Sequence, residues 1–455
     1  MMTKLNQSRI GITTLLLLNA CNLMPEFTLN TGDMPNQWRH ADSAAAESAI
    51  DPHWWRTFGS AELNRLVDEA LQFNNDLAAA GQRIEQARAQ AKIAGADLWP
   101  SAGIDAGYSS THNEQGEANK KTGTLSVAYE VDLWGANRGK RDAGQARLLS
   151  EVFARDALRL VVMSDVSRAY FELLATNERK RITDEFLQNV SDTLLIVEAR
   201  FDAGAVSALD VAQQKTEQAN ARASLDLVTQ QQALAENTLA ILLGHPPVDL
   251  TLDLQRFNDL ALPGIAAQQP QYLLQRRPDL RQAEMQLQAA NIDVGIALAQ
   301  FYPSLKLNLD TVLANPQPAG VALAMAANLA QPLFQGGRLE GGLENAEARN
   351  AELVEIYQQT LLTAFKEVED AAAVRNHSSR RLQALQLAVA RAREAYQISL
   401  ERYRVGAIDY QTLLNTQRSL LNAENAEVQA RLDVLQASVQ LYKALGGGWT
   451  TPASP

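Results

Sequence analysis

Proline is absent from 101 to 245 and again from 333 to 451, and glycine is absent from 145 to 203 and from 343 to 405. Proline clashes with the helical backbone and glycine loosens it, so losing both for so long permits an unbroken helix. The pattern predicts two very long helices, over 137–201 and 338–403. Each is followed by a short turn, at Gly204 or Gly406, and by a returning helix over 207–243 or 408–444. A 65-residue helix reaches roughly 98 Å. No compact domain core has that dimension, which argues against an ordinary globular helical domain.

The chain also repeats itself. "DLAAAGQRIEQARAQAKIAGADLWPS" (76–101) aligns without a gap on "DLRQAEMQLQAANIDVGIALAQFYPS" (279–304), an offset of 203. "LWGANR" (133–138) aligns on "LFQGGR" (333–338), "RFDAGA" (200–205) on "RYRVGA" (402–407) and "ILLGH" (241–245) on "KALGG" (443–447). Landmarks in one order at nearly constant spacing mark a duplicated unit. The first repeat is expected over 62–244 and the second over 270–447, each opening with a helix, 62–98 or the shorter 270–300. A proline-bearing strap at 245–269 separates them, and 448–455 forms a tail. The helices at 207–243 and 270–300 together nearly match one long helix, which suggests two short helices stacked beside each long one in a rod tipped by strands.

Between the first helix and the long one, each repeat alternates with the period of a strand. In "SLKLNLDTVL" (304–313), Leu305, Leu307, Leu309 and Leu313 share one face, while Ser304, Lys306, Asn308 and Asp310 share the other. Strands are expected at about 102–112, 123–133, 304–314 and 320–331. About ten tilted residues cross a bilayer core, and apolar-out, polar-in alternation is the transmembrane barrel pattern. A soluble sandwich alternates too, but four strands cannot supply two sheets worth burying. Lipid forbids open sheet edges, and the smallest single-chain barrels have about eight strands. The chain must therefore share its barrel with copies of itself, in a number that the residues do not fix. Trp99, Trp134, Tyr302 and Phe334 stand at the helix–strand junctions. They form either an aromatic ring at the membrane interface or plugs for the junctions. Asp105, Glu130, Asp132, Lys306 and Asp310 fall on the wet strand faces and are candidate lumen-facing charges.

The chain opens with "MMTKLNQSRIGITTLLLLNAC", a basic start, a short apolar run and a small residue before Cys21, its one cysteine. This is the anatomy of a signal peptide over 1–20, too short to span a bilayer. "LNAC" resembles the bacterial lipoprotein cleavage box, making Cys21 the candidate lipidation site and 21–61 a lipidated, extended N-terminal segment. A plain signal peptide with an incidental cysteine is the alternative. Losing Lys4 and Arg9 takes the formal charge from −11 to −13. There is no basic run to suggest a nucleic-acid partner. The five histidines are scattered, and "FQGGRLEGG" (334–342) lacks the Lys-Ser/Thr of a phosphate-binding loop. No metal, cofactor or enzymatic activity is expected.

Several motifs together resemble the TolC-like outer membrane factors, in the lipoprotein branch serving resistance-nodulation-division efflux pumps. They are "WWRTF" (54–58), "QRRPDLRQAE" (275–284), "FYPS" (301–304), "FQGGR" (334–338) and "LYKALGGGW" (441–449). The resemblance covers nearly the whole mature chain. It implies a mainly α fold with a β membrane part: a homotrimer with a twelve-stranded barrel and a periplasmic α-barrel tunnel. It also implies an exit duct in the bacterial outer membrane, opened by a periplasmic adaptor and an inner-membrane transporter. On that basis Arg200, Gly204, Ala205, Ser207, Arg402, Gly406, Ala407 and Asp409 are the adaptor-docking tips, although the two glycines also serve as plain turns. Gln411, Asn415 and Arg418 match the periplasmic constriction. Asn415 replaces the aspartate often found there, so closure is expected to depend on packing and hydrogen bonds. The acidic balance predicts a cation-selective channel of low conductance. A duct for type I protein secretion shares this architecture, and a soluble coiled-coil scaffold would explain the helices but not the strands.

Overall fold

The computed structural model describes residues 23–29, 34–40, 50–113, 116–267, 269–315 and 321–449. The expected signal peptide and Cys21 lie outside these residues, as does the end of the tail from 450 onward. The described elements are mainly helical. They are α1 (Ala61–Phe73), α2 (Asn75–Ala94), β1 (Ser101–Asn113), β2 (Gly116–Val131), α3 (Ala136–Asp202), α4 (Ala208–Leu243), the one-turn α5 (Leu273–Arg276), α6 (Pro278–Ala299), β3 (Ser304–Asn315), β4 (Val321–Ala330), α7 (Arg338–Arg404) and α8 (Tyr410–Ala444). Both long helices have 67 residues. No helix among the described residues is long and apolar enough to cross a membrane.

The chain divides into two compact units. One holds Ala80–Ala154, Asp279–Thr360 and residues 23–29; the other holds Arg155–Pro278, Leu361–Trp449 and residues 34–40 and 50–79. The first unit contains the whole sheet, a four-stranded antiparallel ribbon in the order β1-β2-β3-β4. Its register lines up Ile104, Leu125, Thr311 and Leu323 across the strands, and likewise Ala102, Val127, Leu309 and Met325. The alternation within each strand thereby becomes one continuous apolar face.

Two strand expectations need correcting. β2 begins at Gly116, because β1 and β2 stay paired to the end of their hairpin and Asn113 faces Gly116. It also stops at Val131, so Asp132 is off the strand. The Asp132 carboxylate accepts from the backbone N–H of Asn137 and of Arg138, both at 3.0 Å, and from Arg138 Nε at 3.0 Å. Free N–H groups at a helix start draw a carboxylate in this way. Asp132 therefore anchors the start of α3 instead of standing on the wet face of the strand.

The second unit carries the largest core. Trp54, Trp55 and Phe58 from a short 3-10 turn, with Leu63 and Leu66 of α1, pack on Phe171 and Leu174 of α3 and on Leu435 and Tyr442 of α8. Trp54 stacks on Tyr442 at 5.1 Å, and Phe58 meets Phe171 edge-on at 4.9 Å.

The helix expected over 62–98 is in fact two. Asn74 leaves the helical conformation, and its Oδ1 accepts from Asp76 N at 3.0 Å and Leu77 N at 3.1 Å to cap α2. Its Nδ2 donates to the Leu242 carbonyl at 2.8 Å, at the end of α4. The second repeat breaks at the aligned place, where Arg277 precedes Pro278 and donates from Nη1 to the Ala444 carbonyl at 3.0 Å, with Glu367 paired at 2.7 Å. Beside each break a left-handed glycine ends the returning helix, Gly244 at φ 78° and Gly446 at φ 72°. A Cβ there would lie 2.3 Å from the Phe73 carbonyl oxygen and 2.2 Å from that of Arg276, so no larger residue fits. The duplication is thus a repeated joint as well as a repeated sequence.

Candidate functional site

The sheet presents its apolar face uncovered. Ile104 is 81% exposed, Leu323 66%, Met325 83% and Leu329 70%, the pattern of a surface that meets something other than water. On the other face Glu130 and Lys306 face each other across β2 and β3 with N–O at 3.5 Å, so two of the predicted wet-face charges offset one another. Asp105 and Asp310 lie on that same face, beside Thr124 and Ser126 respectively. The four junction aromatics divide into two pairs. Trp134 packs on Tyr302 at 4.8 Å and donates from Nε1 to the Pro303 carbonyl at 2.8 Å, which makes these two junction locks. Trp99 and Phe334 stand 74% and 90% exposed, free to meet a membrane interface.

The tip residues are built twice from one recipe. Gly204 and Gly406 have φ of 69° and 75°. Ala205 N donates to Arg200 O and Ala407 N to Arg402 O, both at 2.8 Å, the six-residue closure that ends a helix on a glycine. Ser207 then opens α4 in a reciprocal capping box with Asp210, and Asp409 opens α8 by accepting from Thr412 N at 2.7 Å. Hydrogen bonds from the Thr412 side chain and backbone hold the Asp409 carboxyl below the usual aspartate range. The two tips are clasped together. The Arg200 guanidinium lies 4.6 Å over the Tyr403 ring and donates to the Tyr403 carbonyl at 2.5 Å. Gly204, Ala205, Gly406 and Ala407 are exposed around a cleft of about 720 Å³, and Arg402 is exposed but does not line it.

Behind the tips, Gln411, Asn415 and Arg418 share one face of α8, as their spacing predicts, and all three are exposed. Gln411 donates to Asn415 Oδ1 at 3.2 Å. Arg418 instead forks onto Glu217 of α4, with Nε at 3.1 and 3.2 Å from the two carboxylate oxygens and Nη2 bonded as well. Glu217 is 6% exposed, and its hydrogen bond drives the Arg418 pKa still higher. A second tie runs parallel: Tyr410 Oη donates to Gln214 Oε1 at 2.5 Å, and Gln214 Nε2 donates to the Val190 carbonyl at 2.6 Å. Burial, and then the charge of Glu217, push the Tyr410 phenol far above its ordinary pKa, so it remains a donor. Sequence reasoning missed Glu217 and Gln214. A signal existed: Glu217 follows Gly204 by nearly the interval at which Arg418 follows Gly406, so opposite charges stand level on adjacent helices.

The outer membrane efflux protein family matches residues 66–245 and again 269–447, one copy for each repeat. This chain is a member of that family. Among curated relatives, the pyoverdine export outer membrane protein OpmQ of Pseudomonas aeruginosa is 37% identical over 456 residues, spanning 96% of both chains. The probable outer membrane lipoprotein SilC of Salmonella typhimurium is 29% identical, over 97% of this chain and 98% of its own. Among solved structures, the outer-membrane channel OprN aligns with a TM-score of 0.86 at 28% identity, over 93% of this chain and 99% of that one. The chain is therefore an outer membrane efflux channel built of long helices and a small antiparallel sheet.

Proposed function

We propose that this efflux protein is the exit duct of a tripartite pump. Three copies close a twelve-stranded barrel in the outer membrane, and their helices enclose a periplasmic tunnel. The exposed glycine tips receive a periplasmic adaptor, which links the duct to an inner-membrane transporter. Cys21 carries the lipid anchor, a reading that the likeness to SilC supports. The duct catalyses no reaction.

One observation carries this reading: among the described residues, β1 and β4 are bare edges of a sheet whose apolar face nothing covers. Hydrocarbon tolerates no unpaired backbone, so in a bilayer the edges must pair with other copies. Cysteines scanned along Ala102–Ala106 of β1 against Ala324–Asn328 of β4 should cross-link neighbouring copies into dimers and trimers in outer membranes. Monomers at every pair would sink the proposal. Lys306 offsets Glu130, and Lys120 on the same face offsets only one of Asp105 and Asp310, so a planar-bilayer recording should show cation preference. Anion preference would refute the field argument. The relation to OpmQ makes a siderophore of the pyoverdine class the first cargo to assay.

A further inference from the structure

Two glycines in the strand-bearing unit are explained by the N-terminal segment. Gly295 on α6 faces Met24 and Pro25 so closely that an added Cβ would lie 2.9 Å from Met24 Cα and 3.0 Å from Pro25 Cδ. Gly139 on α3 faces the same side chain from the other helix, at 3.0 Å from Met24 Sδ. Glycine inside a helix weakens it, so its presence at both places fits a need for space. The seat is polar as well as narrow, because Asn291 Nδ2 donates to the Pro25 carbonyl at 3.0 Å. Beyond it, Phe27 and Leu29 pack against Ala283, Leu287, Ala290, Leu353 and Tyr357.

This order gives the segment a direction. Met24 sits at 295, Pro25 at 291, and Phe27 and Leu29 at 283–290, so the segment runs antiparallel to α6. Read backwards, it heads toward the strands. Gly295 lies one helical turn before the end of α6, and Gly139 one turn after the start of α3. Both therefore stand about 5 Å inside the helix–strand junctions that Trp134 and Tyr302 lock. Three residue steps separate Met24 from Cys21, a reach of at most about 11 Å for any extended chain. A tether of that length suffices to reach the helix–strand junctions and little more.

We propose that the groove formed by Gly139, Asn291 and Gly295 is a registration site for the lipid-bearing N-terminus. It fixes the level at which the acyl anchor enters the bilayer, beside the strands of the same copy. The anchor then holds the junction at the membrane surface before the edges of the sheet find their partners. This inference rests on the lipid-anchor reading of Cys21, and one experiment separates the two.

Full-length protein carrying Met24→Cys and Gly139→Cys is oxidised mildly in outer membranes and then labelled with polyethylene-glycol maleimide, before and after reduction. A docked segment on an acylated chain gives no labelled thiol before reduction and two after it. Adding Gly295→Leu should lower the disulfide-bonded fraction roughly tenfold, the scale of overpacking a tight site. Where leucine blocks folding, Gly295→Ala serves the same purpose, since alanine strengthens the helix but still meets the Met24 backbone. Two thiols labelled before reduction, or a disulfide indifferent to both Gly295 substitutions, overturn the groove. A third labelled thiol, from Cys21, overturns the lipid anchor while leaving the docked segment in place.

Discussion

In the sheet, Met325 and Ile104 are more than four-fifths exposed, whereas Phe58, Leu63 and Leu66 in the helical joint are wholly buried. Both regions are rich in apolar side chains, but they hide them from water by different means. The joint folds its own chain around them: the short turn with Trp54 and Phe58, α1, and parts of α3 and α8 close one core. Among the described residues nothing covers that face of the sheet, and its edge strands lack partners. The helical joint can therefore fold as an ordinary core, while in the proposed duct the sheet depends on lipid and on other copies. Substitutions in the two regions should fail under different conditions, which makes the contrast testable.

The largest effect belongs to the joint. Phe58→Ala removes a fully buried ring between Trp54, Phe171 and Tyr442, and should cost about 3–5 kcal/mol. Chemical denaturation should register that loss equally in detergent and in lipid. A loss confined to lipid would erase the distinction between the regions. The sheet should give the converse. Met325→Arg places a charge on the lipid face, at about 2–4 kcal/mol if it lies near the bilayer midplane. It should abolish heat-resistant oligomers in membranes and leave the near-ultraviolet signal of the helical joint intact.

Smaller effects probe the helices near the tips, which are built like the joint but carry polar ties. Arg418→Ala strands the Glu217 carboxylate at 6% exposure and should cost about 1–3 kcal/mol. Freed from this tie, α8 should admit more current in planar bilayers. Unchanged conductance in both Arg418→Ala and Asn415→Ala would place the constriction elsewhere. Ser207→Ala removes half of a capping box and should cost about 1 kcal/mol, seen as faster proteolysis at the turn after α3. The smallest change concerns Glu427 on α8, whose carboxyl is pushed above its ordinary value by burial, against the pull of Arg431 and Arg393. A carboxylate with a raised folded pKa favours the fold below the ordinary glutamate range, and that contribution is lost as pH rises through the raised value. Glu427→Gln should therefore stabilise at neutral pH, by less than about 1 kcal/mol because the group is only partly buried and solvent screens it, and the gain should vanish in acid. Equal gains at both pH values would exclude titration as the cause.

The long helices, the duplication and the alternating strands were legible because each follows from spacing alone. Breaker-free stretches, a constant offset and a period of two need no knowledge of contacts. The break at Asn74 was not legible, since an asparagine within a helical pattern becomes a cap only when a carbonyl such as that of Leu242 waits for its amide. Asp132 was misread for a related reason: its alternation continued past the point where the helix of Arg138 took over its carboxylate. Glu217 belongs to a pair whose other half is 201 residues away, and Gly295 is explained only by the segment lying on it. Apart from Asp132, whose partners follow five and six residues on, what eluded the sequence is a partner distant in the chain.

A sheet that is one chain's share of a barrel must come out of the membrane with its copies. Native mass spectrometry of the complex, extracted from outer membranes in mild detergent, counts them. A dominant species of three chains is expected, reduced to single chains that keep their helical signal when Met325→Arg is introduced. A wild-type protein released as single chains, with the sheet still folded, would contradict the shared barrel.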